Sequence, residues 1–453
     1  MKFLILFFLL VIIFINHLFA SVIIDTSYSV IDSTHSKKED LENNNLIIHE
    51  IRIIGNQKTK KETILREVNL DLSKPISPDR LKFFENRILS LGLFNDVKIF
   101  ISKEADKNVL IILVQEAWYI WPLPFVDIAD RDWKKITYGL NLGIQNLTGK
   151  NESLNTGFSL GYDPKFYLSY YNPNFSFEHN LILKLRTVLQ KRNNRSIEAI
   201  KINNKNFSEK YYAFEIGIGK RLNIFNFITS SIAFEYLQTE EYYPLRTVSN
   251  TGIDRAISFQ FNYIYDTRDF TAYPKSGANL NIAYKKVGLG ETVVDFNILE
   301  VEAKKIFSLG NPVFYLRNYS RVLVGPQLPY YANSFIGYRE RLRGYFNDIF
   351  ESNSLNFSNL EFRFPLIEKY VFKFNFPYIP EELTTYNLNV DFHTFFDIAF
   401  LVNKNQVLKK TRALNGFGFG FSFLFLPYRS FNIEIAWNQL LKPQFIFDLN
   451  LPF

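Results

Sequence analysis

From about residue 119 to the end of the chain, apolar residues alternate with small or polar ones, strand after strand. Phe214, Ile216 and Ile218 alternate with Glu215, Gly217 and Gly219. Ile257, Phe259, Phe261, Tyr263 and Tyr265 alternate with Ser258, Gln260, Asn262 and Ile264. Phe417, Phe419, Phe421, Phe423 and Phe425 alternate with Gly418, Gly420, Ser422 and Leu424. A period of two sends neighbouring side chains to opposite faces of a strand, and no helix can bury such a pattern on one side.

Two architectures produce this alternation. A soluble sandwich buries the apolar face inside. A membrane barrel turns that face to lipid and keeps the small, polar face in its lumen. Composition favours the barrel. The chain has 47 Phe and 26 Tyr among 453 residues, and these aromatics dominate one face while Gly, Ser, Asn and Glu fill the other. The mean hydropathy of −0.07 excludes a helical membrane protein. At roughly 20 residues per strand, counting about 9–11 in the bilayer plus turns, positions 119 to 453 give about 16 strands. The first barrel strand is expected near Ile136–Ile144 and the last near Phe445–Phe453.

The rest of the chain divides into three parts. Residues 1–20 carry Lys2, an apolar run from Phe3 to Ile15, and Ala20-Ser21. This is the form of a signal peptide, too short to span a membrane comfortably. Residues 21–45 are polar and read as a disordered linker. Residues 46–117 hold a compact β-α-α-β-β pattern. A strand over Leu46–Ile54 breaks at Gly55-Asn56. Thr59-Lys-Lys-Glu62 has the form of a capping box, and Ile64, Leu65 and Val68 supply a helix face. Ser77-Pro78 starts a second helix, with Leu81, Phe84, Ile88 and Leu91 on one face and Gly92 at its end. Val97–Ile101 and Val109–Val114 form a hairpin. Residues 118–453 are the barrel.

Cysteine is absent, which excludes an acylated lipoprotein anchor and any thiolate metal site. The net charge is +7, but the Lys and Arg residues are scattered among aromatic strands without a basic helix, so nucleic acid is not an expected partner. Five His lack metal-ligand spacing and no Gly-rich phosphate loop follows a strand. No cofactor, metal or catalytic residue is expected. His393 falls on the polar side of its strand, and no Ser is arranged with it in a recognisable way.

These segments resemble the POTRA-plus-barrel superfamily of outer-membrane assembly factors and transporters, with a barrel like that of BamA-type and TamA-type proteins. The small domain is similar to one POTRA repeat. Ile51-Arg-Ile-Ile-Gly55-Asn56 opens it, Leu89-Ser-Leu-Gly92-Leu-Phe94-Asn-Asp96-Val97 joins helix to strand, and Val114-Gln-Glu116 closes it. In the barrel, Asp266-Thr-Arg268-Asp269 with Tyr273-Pro274-Lys-Ser-Gly277 resembles the family's strand-turn motif. Arg341-Leu-Arg343-Gly344-Tyr345 resembles its signature loop motif, and Glu361-Phe-Arg363-Phe-Pro365-Leu366 and Phe395-Phe-Asp397 resemble two later strand motifs. Where the family usually has Asp-any-Gly, this chain has Ala399. The alternating Phe445, Phe447, Leu449, Leu451 and C-terminal Phe453 resemble the signal that such barrels present to their assembly machinery.

The resemblance implies that the signature loop folds into the lumen and that its Arg meets acidic wall residues. Parity places Glu361, Arg363 and Asp397 on the inner face, so Arg343 is expected to form a bidentate fork with Asp397, supported by Glu361 and Arg363, with Gly344 leaving room. Asp266, Arg268 and Asp269 are expected to brace the turn before Pro274 and Gly277. The resemblance also implies a bacterial outer-membrane location with the POTRA domain in the periplasm. The implied partners are the lipid bilayer, unfolded outer-membrane or secreted client proteins, and periplasmic accessory proteins. The implied mechanism is client insertion or movement by strand augmentation at the POTRA edge and the barrel seam. A secretion transporter for one exported protein and a passive pore are the alternatives.

Overall fold

A computed structural model describes residues 47–104, 107–128, 133–204, 206–290, 293–373, 385–403, 412–426 and 429–448. The signal peptide at 1–20, the linker at 21–45 and Phe453 lie outside the described residues.

The small domain comprises β1 (Glu50–Ile54), α1 (Lys61–Val68), α2 (Pro78–Leu89), β2 (Phe94–Glu104) and β3 (Lys107–Glu116). Its sheet has the order β1-β3-β2, with β1 parallel and β2 antiparallel to the central β3. Ile64, Val68, Phe84, Ile88, Phe94 and Val97 share one dry core. Gly55 has φ +95°, and a Cβ there would meet the Val114 carbonyl oxygen at 2.0 Å, so the strand exit needs glycine. Gly92 likewise takes φ +69° after α2.

The expected capping box is not formed. Lys60, not Thr59, is the N-cap of α1, and it makes no side-chain cap bond. The Thr59 hydroxyl instead meets the Tyr119 hydroxyl at 3.2 Å and accepts from the Asn146 amide at 2.8 Å. Tertiary partners have taken the oxygen that a helix end would use. Ser77 and Pro78 sit at the N-cap and first turn of α2, yet the Ser77 side chain makes no cap bond either. On α1, Leu65 is half-buried and Glu67 is buried.

Among the described residues, sixteen strands form a single antiparallel sheet in sequence order. They begin with β4 (Ile120–Ile128), β5 (Ile136–Gln145), β6 (Ser153–Gly161), β7 (Lys165–Ser176), β8 (Leu181–Asn193) and β9 (Ser208–Arg221). Next come β10 (Asn226–Thr239), β11 (Ile253–Asp266), β12 (Gly277–Val287), β13 (Phe296–Ser308) and β14 (Val313–Val324). A long loop containing the short pair β15 (Ser334–Ile336) and β16 (Phe350–Ser352) follows. The sheet then resumes with β17 (Ser354–Lys373), β18 (Thr385–Val402), β19 (Arg412–Leu426), β20 (Arg429–Asn438) and β21 (Pro443–Asp448). No ladder joins β4 to β21 among the described residues.

One expectation is corrected here. Ile136–Ile144 belongs to the second strand of the sheet; the first is β4, whose sequence Ile-Trp-Pro-Leu-Pro-Phe-Val-Asp-Ile hides the alternation behind two prolines. Proline is tolerated there because β4 is an edge. Elsewhere the alternation has the sense of a lipid-facing exterior. Phe214, Ile216 and Ile218 are 54%, 51% and 57% exposed, whereas Glu215 between them is 8% exposed. No described helix is long and apolar enough to cross a membrane; each inner strand of the sheet pairs its backbone with two neighbours, which suits a crossing by strands.

The small domain sits against one rim of the sheet. Lys60 N–H and the Thr63 hydroxyl both donate to the Gly149 carbonyl, at 2.9 and 2.8 Å, in the β5–β6 turn. Arg66 donates to the Asn174 and Asn180 side-chain oxygens around the β7–β8 turn. At the β9–β10 turn, Arg87 reaches the Ile224 carbonyl at 2.9 Å and Phe83 packs on Phe225. Beside them, Glu67 accepts from Arg87 at 2.8 Å and from Arg221, at the end of β9, at 2.6 Å. The Ser90 hydroxyl accepts from Thr271 N–H in the β11–β12 turn. Both helices therefore face the barrel, which leaves the β2 edge of the small sheet uncovered by another strand.

Candidate functional site

Three strands, β17, β18 and β20, bring Glu361, Arg363, His393, Asp397 and Glu434 onto one stretch of the inner wall, with β19 between the last two. All are 2% exposed or less. Their positions follow from register: Asn359 faces Asp397, Asp397 faces Gly416, and Gly420 faces Glu434. Into this wall comes the loop between β14 and β17.

Arg343 is the contact point. Its Nε donates to Asp397 Oδ2 at 2.8 Å and its Nη2 to Asp397 Oδ1 at 2.7 Å, a two-pronged fork. Its Nη1 donates to Glu361 at 2.8 Å and to Glu434 at 3.2 Å. The guanidinium also lies 3.6 Å from the centre of the Phe395 ring. A planar cation with five donors can make the two-pronged fork and two further bonds at once, whereas a lysine has only three donors and no fork. Arg363 Nε donates to the remaining Glu361 oxygen at 2.5 Å and its guanidinium stacks 4.2 Å above Tyr315. Charges this deeply buried persist only when each is paired with an opposite charge.

Two glycines make room for the loop. Gly344 takes φ +90°, and a Cβ there would sit 2.7 Å from the Trp437 carbonyl oxygen. On the wall, a Cβ at Gly416 would lie 1.7 Å from the Arg343 carbonyl oxygen, a position that only glycine can hold. Around the charges, Leu342, Tyr345, Leu355, Phe357, Ala399 and Leu414 form a buried apolar cluster. Ala399 is fully buried in it. Arg341 points away: it is exposed, donates to the Tyr338 carbonyl and stacks 4.7 Å from Phe346.

Three features escaped the reading of the sequence. Glu434 is a third carboxylate on Arg343. The loop has a second anchor of reversed sign, in which Glu340 accepts a two-pronged fork from Arg317 of β14 at 2.8 and 3.1 Å, and Arg317 also donates to Glu302 at 2.7 Å. The alternation of β14 puts Arg317 on the inner face, so the signal was present. Third, the expectation that no Ser accompanies His393 is corrected. Ser422 Oγ is 3.0 Å from His393 Nδ1, and His393 Nε2 is 2.9 Å from Glu434 Oε1. The three side chains come from three strands, so only the register reveals them. Ser422 and His393 are fully buried, and Glu434 nearly so. The carboxylate is also shared with Arg343, so the trio ties the wall to the loop anchor.

The strand-turn residues lie at the rim near the small domain. Arg268 donates to both Asp266 oxygens, at 2.9 and 2.7 Å. Asp269 Oδ1 accepts the backbone N–H groups of Phe270, Lys275 and Ser276. Pro274 offers its carbonyl to Tyr315, and Gly277 has φ +111° with no room for a Cβ beside Thr267. The Tyr273 hydroxyl reaches Asp391 at 2.9 Å. In the small domain, Asn56 donates to the Thr59 carbonyl at 3.0 Å, and Phe94 and Val97 are core residues. On β21, Phe445 and Phe447 are 72% and 55% exposed.

A sixteen-stranded sheet with an inward loop tied by an Arg-Gly-aromatic core, behind one β-α-α-β-β domain, is now in view. Residues 146–437 match the Omp85 superfamily domain. The chain belongs to the Omp85 superfamily. Residues 46–117 match the POTRA model, described as a surface antigen variable number repeat. Similar solved structures include BamA from Haemophilus ducreyi lacking POTRA domains 1–3, at 15% identity and TM-score 0.51, covering 90% of this chain and 83% of that one. CdiB from Acinetobacter baumannii aligns at 13% identity and TM-score 0.52, over 88% and 72%. CdiB from Escherichia coli aligns at 12% identity and TM-score 0.55, over 89% and 75%. No curated protein matches in sequence. One POTRA match precedes the barrel of this Omp85 chain, and membership supports a role in insertion or translocation at the outer membrane.

Proposed function

We propose that this Omp85 protein inserts or moves client polypeptides at the outer membrane by strand augmentation, without covalent chemistry, with its POTRA domain in the periplasm. The observation that carries this reading is the sheet's linear order. β4 and β21 are its two ends, and no ladder joins them among the described residues. An edge strand offers a row of backbone donors and acceptors to any extended segment. The β2 edge of the POTRA sheet offers a second such row, with Phe100 exposed on it. The pinned loop keeps the lumen side of β17–β20 rigid while the seam stays free to pair. A passive pore fits less well, because the loop and its apolar cluster occupy the lumen.

The test is photocrosslinking in cells from Phe100 and Phe447. Val97, on the same strand as Phe100, is buried in the POTRA core and unsuited. Capture of several nascent barrel proteins supports the reading; capture of one exported protein turns it into a dedicated transporter; capture of nothing leaves the pore.

A further inference from the structure

The edge of β4 is chemically uneven. Gln145 N–H donates to the Tyr119 carbonyl at 2.8 Å, and the β4–β5 register pairs Ile120 with Ile144. In an antiparallel ladder, hydrogen-bonded and non-bonded pairs alternate. Hence Trp121, Leu123, Phe125 and Asp127 direct their backbone toward β5, and Ile120, Pro122, Pro124, Val126 and Ile128 direct theirs toward the open edge. Both prolines therefore stand where a donor would serve only an incoming strand, and they have none. The carbonyl of Ile120, at the rim near the POTRA domain, is already taken by the Trp118 indole N–H. At the other end, Val126 and Ile128 carry both donor and acceptor, and no strand pairs with that side of them among the described residues.

We propose that β4 accepts an incoming strand through its far half only, Val126 to Ile128, and that Pro122, Pro124 and the Trp118 indole guard the half next to the POTRA domain. This rests on the strand-augmentation reading above. The occupant is an extended, antiparallel client strand. An even strand count makes the opposite end of the sheet antiparallel to β4, and a client taking its place must run the same way. It must also be apolar toward lipid, because Ile120, Val126 and the prolines form that face of β4. Opposite Pro122 and Pro124 such a strand can donate but finds no donor for its own carbonyls. An unmet carbonyl in the bilayer is costly. Engagement then begins away from the POTRA domain, and pairing toward it is easily released.

The chain lacks cysteine, so single thiols can be placed without background. The full chain in lipid vesicles would carry Leu123→Cys, between the prolines, or Asp127→Cys, in the far half. The probe is a set of three synthetic peptides of residues 443–453 with one Cys in place of Gln444, Ile446 or Asp448. Two net backbone bonds correspond to about tenfold in occupancy. Disulfide yield, summed over the peptides, is expected to be about tenfold higher at 127 than at 123. Restoring the donors with Pro122→Ala and Pro124→Ala should narrow that gap to about twofold. Should the double variant fail to fold, Trp118→Phe serves instead; it frees the Ile120 carbonyl and should raise the yield at Trp121→Cys while leaving 127 unchanged. Equal yields at 123 and 127 in the parent, or an unchanged gap in the variants, overturn the guarded-edge inference and leave augmentation standing. No adduct at either site overturns both.

Discussion

The two interiors of this molecule are built on opposite principles. The POTRA interior is dry and apolar, with Ile64, Val68, Phe84 and Ile88 packed between helices and sheet. The barrel interior at β17–β20 is a lattice of three carboxylates and two guanidiniums around a loop, sealed by an apolar cluster. Burial of hydrocarbon is non-directional and tolerates repacking. A buried charge lattice tolerates little, because each member left alone carries its full desolvation cost. A barrel whose apolar side chains are committed to lipid has few left for an inner core. Its loop is therefore fixed by direction-specific bonds.

The largest effects should separate the two interiors. Arg343→Ala leaves Asp397, Glu361 and Glu434 facing one another and is expected to cost the barrel about 3–5 kcal/mol, read as a lower unfolding temperature in heat-modified gel migration. Phe84→Ala should cost the POTRA domain about 3–5 kcal/mol, read by protease sensitivity, and leave the barrel's heat resistance unchanged. If Arg343→Ala were no worse than a surface substitution, the contrast would be lost. Charge reversal sharpens it: Asp397→Arg should be partly rescued by Arg343→Asp.

Legibility in the sequence follows the same division. Alternation and helix periodicity are local, so the strands, both POTRA helices and the inward parity of Glu361 and Asp397 could be read directly. The partners Glu434 and Ser422 could not, because which inner-face residues meet depends on the register of strands up to 91 residues apart. The first strand was missed because Pro122 and Pro124 interrupt its pattern for reasons that belong to its edge position. Glu67 reads as an ordinary polar residue of α1 until the rim of the barrel closes over it.

That residue supplies the next test, at the boundary between the two regions. Burial pushes the Glu67 carboxyl up, but the guanidiniums of Arg221 and Arg87 outweigh it and hold it below the usual carboxylate range. A carboxyl with a depressed folded value contributes stability that is fully present above its unfolded pKa of about 4.3 and lost as pH falls through the folded value. Docking of the POTRA domain should therefore hold at neutral pH and fail only below about pH 4. Glu67→Gln, which strands two cations, should cost about 3 kcal/mol of docking at pH 7. The distance between spin labels at Ser90 and Thr271 reports it; unaltered distances in both conditions would detach the ion pair from docking. Next in size, Gly416→Ala drives a methyl into the Arg343 carbonyl and should cost about 1–3 kcal/mol, with thermal migration again the readout. A neutral result would mean the loop can shift aside without losing its fork.

The smallest effect concerns two serines that look alike in sequence, each preceding a helix. Ser77 begins α2 of the POTRA domain and its side chain makes no cap bond. Ser196 begins a helix over Ile197–Asn203, in the loop joining β8 to β9, accepts from Ala199 N–H at 3.0 Å and donates to Glu351 of the signature loop at 2.7 Å. The POTRA helix is held by its buried face, so Ser77→Ala should change that domain's stability by under about 0.5 kcal/mol. The barrel helix has one fully buried side chain, Ala199, and leans on directional bonds. Ser196→Ala should therefore cost about 1 kcal/mol and loosen the loop that Glu351 ties down. Hydrogen exchange at Ala199 and Glu351, compared with exchange at Leu81 in the Ser77 variant, would show it. Equal loss at both serines would mean that local capping matters as much in a dry core as above a charged lumen, and the division between the two interiors would not extend to their helix ends.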